Sequence, residues 1–411
     1  MTLDLRTRRD DEARERIAPD SFFGETLPSL LRAHADLIPS ADEFDLRPLV
    51  LRVDGRAWRL HRDGDGSPAA MPIGDDDTVA ATADGPPVAE VRLTAEQFDD
   101  LLADQVTPIG LMTAGTLDQP HGRIGGVLDW WLVLRAVLDR RRIHRRGDVD
   151  VPVDLGRRFT LDDDPDEILA FLGTAGFVHL RGVFTAAEMA GVSDDMDRAV
   201  PNYMPGDGDS WWATLADGSE QVVRMQRFER HSATVSSILE DPRLLRVAEI
   251  ARCGHTTEWA TDNRVEALFK PIGVVSGISD IPWHKDCSLG RHSYECCGLT
   301  VGVSVTGAGP TSGQLRVIAG SHRALLWPAL LDTGALDLPD VALATDVGDV
   351  TVHLSCTLHM AQAPTETPRR VLYTGFRLPP TGDDESRSAN RRKLKASREG
   401  APRNTSQPPA R

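Results

Sequence analysis

The chain has 411 residues, 40% of them hydrophobic and 26% charged, an ordinary globular balance that excludes collagen, a coiled coil and wholesale disorder. At roughly 100 to 200 residues per domain, it holds two or three domains, each able to bury its own core. The 46 basic and 62 acidic residues leave a net charge of −16. That field repels phosphate backbones and anionic bilayers, so nucleic acid is not expected as a partner. No run approaches the ~18 apolar residues of a membrane span, and charge fills residues 1 to 16 where a signal peptide would be apolar. The five cysteines (253, 287, 296, 297 and 356) include no Cys-x-x-Cys pair, which argues against a disulfide framework or zinc knuckle. A cytoplasmic protein with no membrane span and no evident protein partner is expected.

Residues 1–19 form a charged segment expected to fray. A domain over 20–140 begins with a helical pattern near Ser21 that runs through Leu27, Leu30, Leu31 and His34. Strands are expected from Leu46 to Arg62, with Asp54-Gly55 at a hairpin turn. Residues 63–86 read as a loop broken by one short strand. After a strand from Val88 to Leu93, Thr94 and Gln97 have the spacing of a capping box that opens a helix. A second helix places Val127, Leu128, Trp131, Leu134 and Leu138 on one apolar face. Arg140, Arg141, Arg142, Arg145 and Arg146 then introduce an exposed linker over 141–158.

A second domain is expected over 159–380. It starts with a helix from Pro165 to Gly173, a strand from Gly176 to Arg181 and a helix from Thr185. Beyond residue 230, short β-rich segments broken by Gly and Pro suggest a sandwich or jelly roll. Residues 381–411 carry eight basic against four acidic residues without apolar periodicity, and are expected to be a disordered tail.

The chemistry concentrates in Ile281-Pro-Trp-His-Lys-Asp286. On a strand, His284 and Asp286 emerge on one face about 6.6 Å apart along the backbone, within reach of one metal ion. Gly313 to His322 reads as a strand ending in a Gly turn, Gly348 to His359 as a turn, a strand and a His just past it, and Pro368 to Phe376 as a strand that starts with two arginines. Two His and one carboxylate on one face leave three positions open on a six-coordinate iron, the facial triad of non-haem Fe(II) oxygenases. His353 is a rival second His, although it lies within its strand. Arg369 and Arg370 are adjacent, so one points into a barrel and the other out. Trp283 is read as core or pocket wall, and Arg224, Arg227 and Arg230 as a solvated strand face or a hold on a substrate carboxylate. His322 is read as capping a turn and His292 is unplaced.

These features together resemble the phytanoyl-CoA dioxygenase family of Fe(II)- and 2-oxoglutarate-dependent oxygenases. The resemblance covers residues 159 to 380. It rests on the Gly176-Phe177 strand, His284-x-Asp286, the Gly313-x-Leu315 strand ending in Gly-Ser-His322, the Gly348-Asp349 strand leading to His359, and the arginines beyond. It implies an α+β chain whose C-terminal domain is a double-stranded β-helix (a cupin-like jelly roll) with flanking helices. It also implies His284, Asp286 and His359 as ligands of Fe(II), 2-oxoglutarate and O₂ as co-substrates, and hydroxylation of an unactivated C–H bond of a small molecule. Arg369, which follows a Pro as the family's arginine commonly does, is preferred over Arg370 for the far carboxylate of 2-oxoglutarate. Because Asp286 is retained, halide has no vacated ligand position. Two departures stand out: Ala319 replaces the usual Pro before Gly-Ser-His, and Ala361 replaces a small polar residue two positions after the distal His. Residues 20 to 140, through Val91 to Leu102, Gly122-Arg-Ile-Gly-Gly126 and the Trp130 helix, resemble the SCP2-like sterol-carrier fold, an α/β domain around an apolar tunnel. That domain is read as a carrier of an apolar substrate or as a docking module. A non-catalytic lipid or small-molecule carrier is the alternative for the whole chain.

Overall fold

A computed structural model describes residues 16–74, 89–151, 154–254, 264–277, 281–289, 298–329, 334 and 336–376. Most of the charged N-terminal segment, the whole C-terminal tail, Val88, His292, Cys296 and Cys297 lie outside the described residues. Among the described residues no helix is long and apolar enough to cross a membrane.

In the N-terminal half, α1 (Pro19–Ser21), a π-type turn over Phe22–Thr26 and α2 (Leu27–Ala33) run on as one helical stretch. Its Phe22, Phe23, Leu27 and Leu31 are buried, the face that the apolar spacing implies. β1 (Leu49–Val53) and β2 (Arg56–Arg62) form the expected hairpin. Asp54 and Gly55 have φ of 47° and 86°, the two left-handed residues that a type I′ turn needs. β3 (Pro68–Ile73) extends the meander, and the chain then crosses over to β4 (Ala89–Leu93), parallel to β1. The capping box of Thr94 and Gln97 opens α3 (Ala95–Leu102), and α4 (Pro108–Thr113) follows. β5 (Asp118–His121) closes a five-stranded sheet of order β3-β2-β1-β4-β5. Phe22, Phe23, Trp58, Phe98 and Trp130 fill the space between sheet and helices, with Phe23 stacked on Trp58 at 4.7 Å.

The next helix, α5 (Ile124–Asp139), is buried more widely than its predicted single face: Trp130, Leu132, Val133, Ala136 and Val137 are also inside. A helix buried nearly all round has partners on more than one side. The sheet, through β1 and β4, and the helices α2, α3 and α4 pack on it. Leu325 and Trp327 from the C-terminal half join the same apolar cluster. The segment expected as an exposed linker is tied down at its start. Ile143 is 5% exposed and bridges Leu325; Arg141 donates to the Arg323 carbonyl; His144 Nε2 lies 2.9 Å from Asp337 Oδ1. The physical reason is the lone apolar Ile143 among the arginines, which the arginine count hides.

The C-terminal half opens with α6 (Pro165–Ala175), capped by Gly176 at φ 85°, and β6 (Phe177–Leu180). A Cβ at Gly176 would sit 2.4 Å from His322 Nδ1, so the turn that aims β6 admits only Gly. Thr185 and Glu188 form a second capping box at the start of α7 (Ala186–Ala199). After the β7 (Ser210–Leu215) and β8 (Glu220–Met225) hairpin come α8 (Ala233–Leu239) and α9 (Pro242–Glu249), where strands were expected. The side chains of Ser232 and Asp241 cap these two helices, accepting from the N–H groups of Val235 and Arg243.

The remaining strands are β9 (Glu266–Lys270), β10 (Val274–Ser276), β11 (Ile281–His284), β12 (Leu299–Ser304), β13 (Leu315–Ile318), β14 (Asp340–Leu343), β15 (Val350–Leu354), β16 (His359–Ala361) and β17 (Arg369–Phe376). They build an eight-stranded antiparallel sheet of order β10-β7-β8-β9-β17-β12-β15-β6 and a four-stranded one of order β11-β16-β13-β14. From β11 onward the chain passes repeatedly between the two sheets, the crossing that a jelly roll requires. The main core draws on both, with Val301, Val303, Val350 and Val352 from the large sheet and Leu315 and Val317 from the small one.

The turn into β15 is held by Gly348 at φ 84°, and its carbonyl accepts from the Phe184 N–H at 3.0 Å. A Cβ at Gly348 would lie 1.9 Å from the Phe184 oxygen. Gly348→Ala is therefore expected to cost about 3 kcal/mol or more through left-handed strain plus overpacking. The measurement is the midpoint of urea unfolding, which should fall while the slope stays constant.

Candidate metal centre

Three polar side chains meet where β11 and β16 run side by side. His284 and His359 are register partners in this antiparallel pair, so their rings lie together with centroids 4.3 Å apart. Asp286 lies two residues past the end of β11, in a 3-10 turn over Asp286–Leu289. Its Oδ1 lies 3.4 Å from His284 Nε2 and 3.5 Å from His359 Nε2. One ligand atom from each residue fits within a mutual 4.8 Å. The side chains of His284 and His359 are 12% and 9% exposed while that of Asp286 is 28% exposed, so the two imidazoles are largely buried and the carboxylate is partly open.

Each donor is aimed by a second contact. His284 Nδ1 lies 2.7 Å from the Pro282 carbonyl and His359 Nδ1 3.0 Å from that of Thr357. A carbonyl only accepts, so both Nδ1 atoms carry the proton and both Nε2 lone pairs face Asp286. Thr300 donates to Asp286 Oδ2 at 2.7 Å, which leaves Oδ1 turned to the two imidazoles. Burial alone would raise the pKa of Asp286. The three imidazoles around it, His359 first and then His284 and His353, instead hold it well below the ordinary carboxylate range. Burial first, and then the neighbouring His353, push His359 well below the usual imidazole value. A carboxylate and a neutral imidazole are the protonation states in which these groups bind a cation. The donor set thus fits a divalent metal with one acidic and two imidazole ligands.

His353 lies against this cluster. It is 1% exposed, its ring is 4.2 Å from that of His359, and its Nε2 is 3.6 Å from Asp286 Oδ2, on the side away from the other two donors. Neither of its ring nitrogens has a hydrogen-bond partner among the described residues. His322 turns away, with Nε2 3.1 Å from the Gly173 carbonyl, and burial pushes its pKa down to about 3.

The two arginines separate cleanly. Arg369 is 5% exposed and donates from Nη1 to the Gly313 carbonyl at 2.6 Å, while its Nε has no partner among the described residues. Its cross-strand neighbour is Lys270, another buried cation at 3% exposure. Arg370 faces the opposite way, bonded to Ser193 and Asp197 of α7 with its guanidinium over Phe269. Trp283 packs with Ile318, Leu326, Leu338 and Leu358, a core position. Arg224 pairs with Glu266 and lies over Trp211, Arg227 pairs with Asp209, and Arg230 is exposed. Cys287 and Cys356 are buried.

Sequence reasoning missed Thr300 and Lys270. Thr300 had a signal: β12 alternates Thr300, Gly302 and Ser304 with the core residues Val301 and Val303, the period of a strand with a polar inner face. Lys270 is one of only four lysines in the chain and ends a strand that is apolar from Ala267 to Phe269.

No curated protein matches the sequence. Solved structures resemble somewhat more than half of the chain. AviO1 from Streptomyces viridochromogenes Tue57 is 19% identical over 54% of this chain and 97% of its own, with a TM-score of 0.43. The α-ketoglutarate-dependent epimerase SnoN from nogalamycin biosynthesis is 22% identical over 54% and 86%, at 0.40. EctD from S. alaskensis, solved with 2-oxoglutarate and 5-hydroxyectoine, is 18% identical over 57% and 86%, at 0.43. The family model described as phytanoyl-CoA dioxygenase (PhyH) matches residues 172–371, the stretch that holds all three clustered donors and both arginines.

Proposed function

We propose that the C-terminal domain is an Fe(II)- and 2-oxoglutarate-dependent oxygenase that hydroxylates an unactivated C–H bond of a small, lipid-like or secondary-metabolite substrate. The observation that carries this reading is the convergence of His284 Nε2, His359 Nε2 and one oxygen of Asp286 on a common point, inside a segment that matches the family. When bound, the iron would couple oxidation of 2-oxoglutarate by O₂ to oxidation of the substrate.

The roles of the protein groups follow from their contacts. His284, Asp286 and His359 hold the metal, and Thr300 ties down the second carboxylate oxygen so that Asp286 offers only one. Arg369 binds the far carboxylate of 2-oxoglutarate, with Lys270 adding positive charge beside it. Gly313, where the Arg369 guanidinium rests, lies four residues from Val317, the register partner of His359. Retention of Asp286 fills the position that halide would need, which favours hydroxylation over halogenation. For the N-terminal half, delivery of an apolar substrate and docking stand as alternatives.

The test uses full-length protein purified without oxygen. It is expected to bind one Fe(II) per chain and, on exposure to O₂, to release succinate and CO₂ from 2-oxoglutarate slowly even without substrate. Stoichiometric iron with no succinate formed would favour the non-catalytic carrier reading.

A further inference from the structure

We propose that residues 323–329 form a strap through which the N-terminal half positions His284, so that a domain supplying no ligand sets the metal affinity of the site. The proposal rests on the reading of His284, Asp286 and His359 as a metal centre.

β11 is the edge strand of the small sheet, paired within it only with β16. Its other edge is covered by the strap: His284 makes an antiparallel bridge to Ala329, and the Lys285 N–H donates to the Pro328 carbonyl at 3.0 Å. The buried Lys285 side chain grips the other end, with Nζ donating to the Ala324 carbonyl at 3.3 Å and to that of Ser321 at 3.0 Å. The residue between the two proposed ligands thus holds both ends of the strap.

The opposite side of the strap belongs to the N-terminal half. Leu325 is 1% exposed and sits in the N-terminal apolar cluster, and its backbone is bridged by Ile143 and accepts from the His144 N–H at 2.9 Å. Trp327 donates from Nε1 to Asp129 Oδ1 of α5 at 3.0 Å. Its ring lies so close over the same helix that a Cβ at Gly125 would approach Cη2 to 3.0 Å. Leu326, between them, packs beneath Trp283 of β11. In addition, α4 packs against the turn that carries Asp286. A displacement of α5 therefore reaches His284 through Trp327, Pro328 and Ala329 without passing through solvent. Short, closed routes of this kind orient a ligand through its backbone, and loss of such support costs about 10- to 100-fold in metal affinity.

The experiment titrates full-length protein with Co(II) in the absence of oxygen and reads both affinity and the visible ligand-field spectrum. Trp327→Ala, and Gly125→Val within α5, are expected to raise the Co(II) dissociation constant about 10-fold and to alter the spectrum. Trp327→Phe, which keeps a ring against Gly125, should return affinity to within about threefold of wild type, a few tenths of a kcal/mol. Near-UV circular dichroism checks that each variant is folded. If Trp327→Ala does not fold, Gly125→Ala decides by the same criterion. Wild-type affinity and spectrum in the folded variants would overturn the strap while leaving the metal centre intact. A wild-type chain that binds no Co(II), or binds it equally well as His284→Ala, would overturn the metal centre itself.

Discussion

Replacement of His284 or Asp286 by Ala is expected to weaken Fe(II) binding by more than about 100-fold, beyond the range seen when only a supporting contact is lost. Succinate formation should fall to background. The reason is geometric: the cluster offers one atom per residue, so each variant leaves two donors for a labile divalent ion. His359→Ala should behave in the same way. His353→Gln should not, because its Nε2 approaches the Asp286 oxygen already tied to Thr300 and not the one facing the other imidazoles. Iron content after gel filtration, measured for all four variants, separates these cases. Full iron in both His284→Ala and Asp286→Ala would sink the assignment, and loss of iron in His353→Gln with retention in His359→Ala would exchange the two histidines.

Much of this arrangement was legible in the sequence because it is encoded locally. Asp54-Gly55 announces a type I′ turn, Thr94 with Gln97 and Thr185 announce helix starts, and His284-x-Asp286 announces two donors close together, although Asp286 sits in the 3-10 turn past β11 and not on the strand as expected. What escaped depends on partners distant in the chain. α8 and α9 are seven and eight residues long, too short for their periodicity to outweigh the β-rich surroundings. The wider burial of α5 comes from α2, α3 and α4 and from Leu325 and Trp327, the last two nearly two hundred positions downstream. Ile143 looks like a stray apolar residue in a linker until its bridge to Leu325 is known. In the site, alternation along β12 marks Thr300 as a polar position, but its partner Asp286, fourteen residues earlier in the turn after β11, is known only from the fold. The inward arginine could not be chosen from alternation alone, because alternation says only that Arg369 and Arg370 differ.

The pairing of β17 with β9 supplies that missing register, and with it the prediction of largest consequence for the co-substrate. Arg369 stands opposite Lys270, and both are buried; Arg370 stands opposite Phe269 and reaches α7 on the outer side. A buried guanidinium paired with a carboxylate is worth several kcal/mol, partly because removing one partner leaves the other charge desolvated. Arg369→Gln is therefore expected to raise the 2-oxoglutarate concentration needed for half-maximal succinate formation by about 10- to 1000-fold, at 1.4 kcal/mol per tenfold. Iron binding should persist. Arg370→Gln removes a half-exposed ion pair with Asp197, a contact worth about 0 to 1 kcal/mol to folding, and should shift the requirement by less than about threefold. Lys270 makes the arginine's environment more positive, so Lys270→Met should weaken 2-oxoglutarate binding in the same direction as Arg369→Gln, and the double variant should fall short of additivity if both cations hold one carboxylate. A reversed order of the two arginines would mean that β17 is shifted by one residue. Indifference to both substitutions, in protein that still binds iron, would remove 2-oxoglutarate from the mechanism and leave the cluster as a metal site of another kind.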